Sequence, residues 1–197
     1  IDALNAARSM DIDQAEAILR VEVGSKVSTM SSKELKRDIL LFAKSNPVLF
    51  IDLAKGSKRL GGSIVAQINN ILAGNTPDVE CVEEMPLFVE CIHQLLKEKK
   101  ILSYHDRSDG GLLTTISEMA FAGRVGVDIL LDEILSDKND CIDTLLNEEL
   151  GVVIQIDTEE RDSVMRCFQK TGLRNFIYTI GTLNDQKKIN LIEDRRI

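Results

Sequence analysis

The segment His105-Asp106-Arg107-Ser108-Asp109-Gly110-Gly111 holds the residue types best suited to chemistry in this 197-residue chain. Asp106 and Asp109 stand three residues apart. Carboxylates suit a hard cation such as Mg²⁺, which takes one or two protein carboxylates and completes its shell with water and phosphate oxygens. Ser108 adds a neutral hydrogen-bond partner. The glycines let the backbone turn tightly and approach a ligand closely. A helix is expected directly after them, and its first N–H groups, unpaired within the helix, can meet an anion. These are the parts of a Mg-nucleotide site. The same residues also suit an ordinary helix start, with Ser108 or Asp109 as the cap and the glycines as the bend. Spacing alone leaves both readings open.

Gly61-Gly62-Ser63 is a second candidate for an anion site, because it too opens a helix after a strand, with Lys55, Lys58 and Arg59 nearby. A tight turn capped by Ser63 explains it equally simply. Asn147-Glu148-Glu149-Leu150-Gly151 reads as a helix end stopped by Gly151. His93 falls inside a helical pattern and reads as a surface or interface residue. The basic run at 97–100 reads as a solvated helix terminus, where positive charge suits the dipole.

The elements that must position these residues follow from hydrophobic spacing. Residues 1–46 read as a polar, helical segment, and Pro47 closes it. Residues 47–197 form the main domain. The run at 48–53 is almost continuously apolar, as for a strand buried on both faces. Helices are expected at 63–72, 86–100, after Gly110, and at 159–170. Further strands are expected at 101–104, 125–131, 152–156, 176–180 and 188–192, the last two joined as a hairpin through Asn184-Asp185. The mixed order of helices and strands predicts an α+β fold, a mostly antiparallel sheet covered by helices.

Composition narrows the function classes. Hydrophobic residues make up 44% of the chain, enough for a packed core. A net charge of −8 argues against sequence-independent binding to nucleic acid, which needs Lys and Arg on phosphates. Cys81, Cys91, Cys141 and Cys167 form no CxxC pair, so neither a zinc site nor a disulfide framework is expected. Cys91 and Cys167 read as small core residues. The expected compartment is reducing and cytoplasmic, with neither a signal peptide nor an apolar run long enough for a bilayer. The chain opens at Ile1 in mid-pattern, so a fragment or processed product is expected.

Tyr104-His105-Asp106-Arg107-Ser108-Asp109-Gly110-Gly111-Leu112-Leu113 is followed by Glu118-Met119-Ala120-Phe121-Ala122-Gly123 and Gly126-Val127. These words closely resemble the C-terminal domain of the aminoimidazole ribonucleotide synthetase family, in its formylglycinamidine ribonucleotide synthetase branch. Phe50-Ile51-Asp52-Leu53, Lys55-Gly56, Arg59-Leu60-Gly61-Gly62-Ser63 and Ala66-Gln67 agree with it in order and spacing, as does Asn147 through Gln155. The resemblance covers roughly residues 47–193. It implies an ATP- and glutamine-dependent ligase of purine biosynthesis that converts formylglycinamide ribonucleotide to the amidine. It implies Asp106 as a Mg²⁺ ligand and Ser108 as a contact to ATP or ADP. The long form of that enzyme is similar to a tandem duplication followed by a glutaminase domain. The loop resembles its second copy, which points to the nucleotide site that is structural rather than catalytic. The N-terminal family motifs and a Cys-Asn-Gly-Cys nucleophile segment are absent here. The resemblance therefore implies partners in the N-terminal family domain and the glutaminase domain, and a chain inactive by itself. The alternative is a non-catalytic nucleotide-binding or scaffolding relic of the same fold.

Overall fold

The computed structural model describes residues 46–71, 74–79, 82–135 and 140–193. The helical segment expected before Pro47 lies outside these residues, Asn46 apart. The strands are β1 (Pro47–Asp52), β2 (Ile101–Asp106), β3 (Gly126–Leu130), β4 (Gly151–Ile156), β5 (Ile177–Asn184) and β6 (Ile189–Ile192). The α-helices are α1 (Ile64–Ile68), α2 (Met85–Lys97), α3 (Gly111–Gly123), α4 (Cys141–Leu146) and α5 (Arg161–Gln169). The strands form one 6-stranded sheet in the order β2-β4-β1-β5-β3-β6. Every neighbouring pair is antiparallel except β3 with β6. The fold is α+β with a mostly antiparallel sheet, as the sequence predicts.

Near-continuous apolar sequence is what a central strand requires, because successive side chains enter opposite layers. In β1, Leu49 and Ile51 enter one layer while Val48 and Phe50 enter the other. The first layer is closed by α2 and α5. Phe88, Cys91, Ile92 and Leu95 face inward from α2, at the spacing of one helix face, and Val164 and Phe168 meet them from α5. The Phe88 and Phe168 rings stack with centroids 6.4 Å apart. Leu112, Ile116 and Ala120 of α3 and Leu145 of α4 close the second layer.

Three local expectations change. The helix expected at 63–72 stops at Ile68, and Asn70 takes a left-handed backbone with φ 55°. Its apolar side faces outward, with Ile68 74% exposed. Cys91 and Cys167, expected as separate core residues, are paired across α2 and α5 with Cα atoms 5.8 Å apart. The terminal hairpin is not one: β3 lies between β5 and β6. The link from β5 to β6 instead passes over the start of β3, where Asn184 donates to Asp128 Oδ1 (2.7 Å) and to the Lys188 carbonyl (3.1 Å). A side chain at Gly126 would meet both Asn184 and Lys188, so this crossing needs the bare backbone there.

Candidate functional site

The loop read as a Mg-nucleotide element begins while the chain is still a strand. His105 and Asp106 are the last residues of β2, an edge strand paired with β4 alone. Strand alternation then decides which side chains reach solvent. Tyr104 and Asp106 share one face, and the Tyr104 hydroxyl donates to Asp106 Oδ1 at 2.5 Å. Burial and the Asp106 carboxylate push the Tyr104 hydroxyl well above its ordinary pKa, so it stays a donor. Asp106, Ser108 and Asp109 are exposed, whereas Arg107 between them is buried. His105 faces the other side, with Nε2 2.9 Å from Glu118 on α3 and Nδ1 2.7 Å from the Asp106 carbonyl. Gly110 and Gly111 both take positive φ, 80° and 72°, and turn the chain into α3. Gly111 donates its N–H to the Ser108 carbonyl at 2.9 Å, closing the turn.

Beneath the loop lies a network of buried charge that sequence reasoning treats as structural or passes over. Arg107 Nη2 donates to the Leu150 carbonyl (2.9 Å) and to Asp52 Oδ1 (3.3 Å), and Nε donates to the Glu149 carbonyl. The guanidinium also stands 5.0 Å from the Phe50 ring centroid. Burial pushes the Asp52 carboxyl up, against the pull of Arg107 and of N–H donors from Ala54 and Gly56. Glu149 is fully buried. Burial pushes its carboxyl up as well, but Arg59 wins and holds it below the ordinary Glu value. Arg59 reaches it with Nε at 2.6 Å, Nη2 at 2.8 Å and its backbone N–H at 3.0 Å.

The Gly61-Gly62-Ser63 turn behaves as a cap. Ser63 Oγ accepts from the Ala66 N–H at 3.2 Å and donates to the Leu60 carbonyl at 2.7 Å. The nearby cations are engaged by carboxylates: Lys55 by Glu84 (2.7 Å), Lys58 by Asp140 (3.2 Å) and Arg59 by Glu149. Glu148 joins this turn to the loop after β2, since its Oε1 accepts from the Ile64 N–H (2.9 Å) and the Gly110 N–H (2.8 Å). A protein carboxylate thus already answers both helix starts. Among the described residues no three His, Cys, Asp or Glu side chains gather into a metal shell, and no helix is long and apolar enough to cross a membrane.

Comparison with known proteins decides the family. The AIR synthase related protein, C-terminal domain family matches residues 52–194. The chain belongs to this family. Phosphoribosylformylglycinamidine synthase of Schizosaccharomyces pombe is 45% identical over 137 residues, which cover 70% of this chain and 10% of that protein. The chain thus spans about a tenth of that relative's length. Among solved structures, PurLQS from Thermotoga maritima matches with a TM-score of 0.58 at 14% identity, over 78% of this chain and 24% of that one. PurL from the same organism, complexed with ATP, matches with a TM-score of 0.54 at 13% identity, over 77% of this chain and 23% of that one. At such identities these structures speak to the fold alone.

The sequence reading ends this strand at Tyr104 and places Asp106 and Ser108 in the loop after it; in the structure the strand runs on through Asp106, and both residues are exposed. The reading misses Arg107 and Glu149. The signal for Arg107 was available: continuing the period of β2 past Asp106 sends residue 107 inward. Glu149 carried no such signal, because its partner Arg59 lies 90 residues away in sequence.

Proposed function

We propose that this chain is one domain of a phosphoribosylformylglycinamidine synthase, and that its β2–α3 loop forms one wall of a Mg-nucleotide site. In this reading Asp106 is a Mg²⁺ ligand and Ser108 contacts ATP or ADP. The observation that carries it is the alternation at the loop. Asp106 and Ser108 are presented outward from a rigid sheet edge while Arg107 is anchored inward. Of the Asp106 carboxylate, Oδ1 accepts from Tyr104 and Oδ2 has no hydrogen-bond partner among the described residues. That suits a ligand to Mg²⁺, which binds through few carboxylates and draws the rest of its shell from water and phosphate. When bound, the ion would neutralise phosphate charge.

The whole enzyme would join ammonia from glutamine to formylglycinamide ribonucleotide at the expense of ATP. This chain holds neither a glutaminase nucleophile segment nor the N-terminal family motifs. Its contribution is to present the loop, with other domains supplying the facing wall. The 45% identity with the Schizosaccharomyces pombe enzyme supports this reading. Purified alone, the 197-residue chain should form no amidine with ATP and either glutamine or ammonia. The longer protein that contains it should form amidine with both. Turnover by the isolated chain above that of its Asp106→Ala variant would overturn the reading. So would failure of the longer protein to use formylglycinamide ribonucleotide.

A further inference from the structure

Arg107 lies between the two residues proposed to hold the nucleotide, yet it is only 7% exposed. Its backbone N–H donates to the Gly151 carbonyl at 2.7 Å. Its guanidinium bonds the Glu149 and Leu150 carbonyls, just before β4, and Asp52 at the end of β1. Gly151 leaves the room: a Cβ there would stand 2.8 Å from the Phe50 ring and 3.3 Å from the guanidinium carbon. Asp52 is itself fixed by the Ala54 N–H (3.2 Å) and the Gly56 N–H (2.7 Å). Glu149, whose carbonyl Arg107 holds, is clasped through its carboxylate by Arg59. One loop residue is thereby fixed to two separate segments of the core, the end of β1 and the run 149–151 that leads into β4.

We infer that Arg107 is the positioning residue of this nucleotide loop, setting Asp106 and Ser108 at a fixed height above the sheet edge through Asp52 and the Glu149-Leu150 carbonyls. The inference rests on the nucleotide role proposed for Asp106 and Ser108. The Asp106–Arg107 peptide is held by the Arg107 N–H on the Gly151 carbonyl, and Ser108 follows directly on a residue whose side chain is anchored in the core. Mg²⁺ tolerates little misplacement of a ligand, because it demands near-ideal octahedral geometry. Residues that orient a metal ligand from behind matter accordingly, by about 10–100-fold in affinity. A lysine cannot substitute. Its single ammonium lacks the planar fork that reaches two carbonyls and a carboxylate together.

The test uses the longer protein that carries this chain and measures its dissociation constant for ADP in saturating Mg²⁺ by calorimetry. Arg107→Lys, Arg107→Met, Asp52→Asn and the Asp52→Asn/Arg107→Met double variant are compared below their melting temperatures. Both Arg107 variants should weaken Mg-ADP by about 10–100-fold. Asp52→Asn should weaken it as well, and the double variant should be no weaker than Arg107→Met, because the two act through one contact. A purely stabilising Arg107 would lower the melting temperature and leave affinity untouched, and that result overturns the inference. If Arg107→Met does not fold, Arg107→Lys, which keeps the charge, decides alone. Asp106→Asn serves as the control for the underlying reading. Lost affinity there with unchanged affinity in the Arg107 variants refutes positioning only, whereas unchanged affinity in Asp106→Asn refutes the site itself.

Discussion

Replacing Glu149 with Ala should destabilise the protein by about 3–5 kcal/mol, the cost of removing one partner from a buried ion pair. Glu149 is fully buried and accepts three hydrogen bonds from Arg59, so the variant leaves a cavity and removes those bonds from a guanidinium that still reaches the Asp78 carbonyl at 3.0 Å. Urea unfolding should show a lower midpoint with an unchanged slope. The pH dependence gives an independent sign. The folded protein holds the Glu149 carboxyl below its ordinary value of 4.5. Its contribution is then present above that value and is lost as pH falls through the depressed one. Wild type should lose stability on acidification below about pH 4.5 more steeply than Glu149→Gln, whose side chain does not titrate. Asp52 is common to both proteins, so its opposite shift cancels in the comparison. Equal acid slopes for the two proteins, or a Glu149→Ala midpoint within error of wild type, would contradict the network described.

A second large effect is expected at Gly111, and it separates two glycines that look alike in sequence. Both have positive φ, which costs a residue with a Cβ about 1–2 kcal/mol. Their surroundings differ. A Cβ on Gly111 would lie 2.6 Å from the Asn147 carbonyl oxygen and 2.7 Å from that of Leu145, both backbone. A Cβ on Gly110 would meet only the Thr114 side chain, whose Oγ1 (2.3 Å) can turn away while its Cβ (3.0 Å) stays close. Gly111→Ala should therefore add an overpacking cost of about 1–3 kcal/mol to the strain, and Gly110→Ala a smaller one. The same clash would separate the start of α3 from the segment after α4, the path along which Glu148 reaches Gly110. Thermal unfolding of the two variants checks this, and a Gly110→Ala variant less stable than Gly111→Ala would refute it.

Much of the fold was legible because its strands carry their own patterns. The run at 48–53 announced a strand buried on both faces, and the structure makes it β1, in the middle of the sheet. The segment 159–170 gave α5 to within two residues at each end. What local pattern could not supply was pairing across long separations. Nothing near Asn184 announces that β3, more than fifty residues earlier, inserts beside β5 and displaces the hairpin. For the same reason the buried network was invisible. Asp52 and Arg107 are 55 residues apart, and Arg59 and Glu149 are 90 apart. The helix at Ile64 was read too long because Ile64, Ile68 and Ile71 repeat at helical spacing. That stripe lies on the outside of the domain, where it has no core to bind. The candidate site was half legible: residue types marked Asp106 and Ser108, while the arginine beneath them became visible only in three dimensions.

The measurement that bears most directly on the proposed nucleotide site is the nucleotide affinity of the longer protein carrying Asp106→Asn, set against wild type. The substitution keeps shape and removes one negative charge from the metal. The account predicts weaker retention of Mg-ADP, with the difference disappearing when ADP is titrated in the presence of a chelator. If the site is structural, the melting temperature should fall with nucleotide occupancy, because bound nucleotide stabilises only the native state. If it is catalytic, the rate should fall with little change in melting temperature. Unchanged nucleotide affinity, stability and rate in Asp106→Asn would contradict the account and remove this loop from the site.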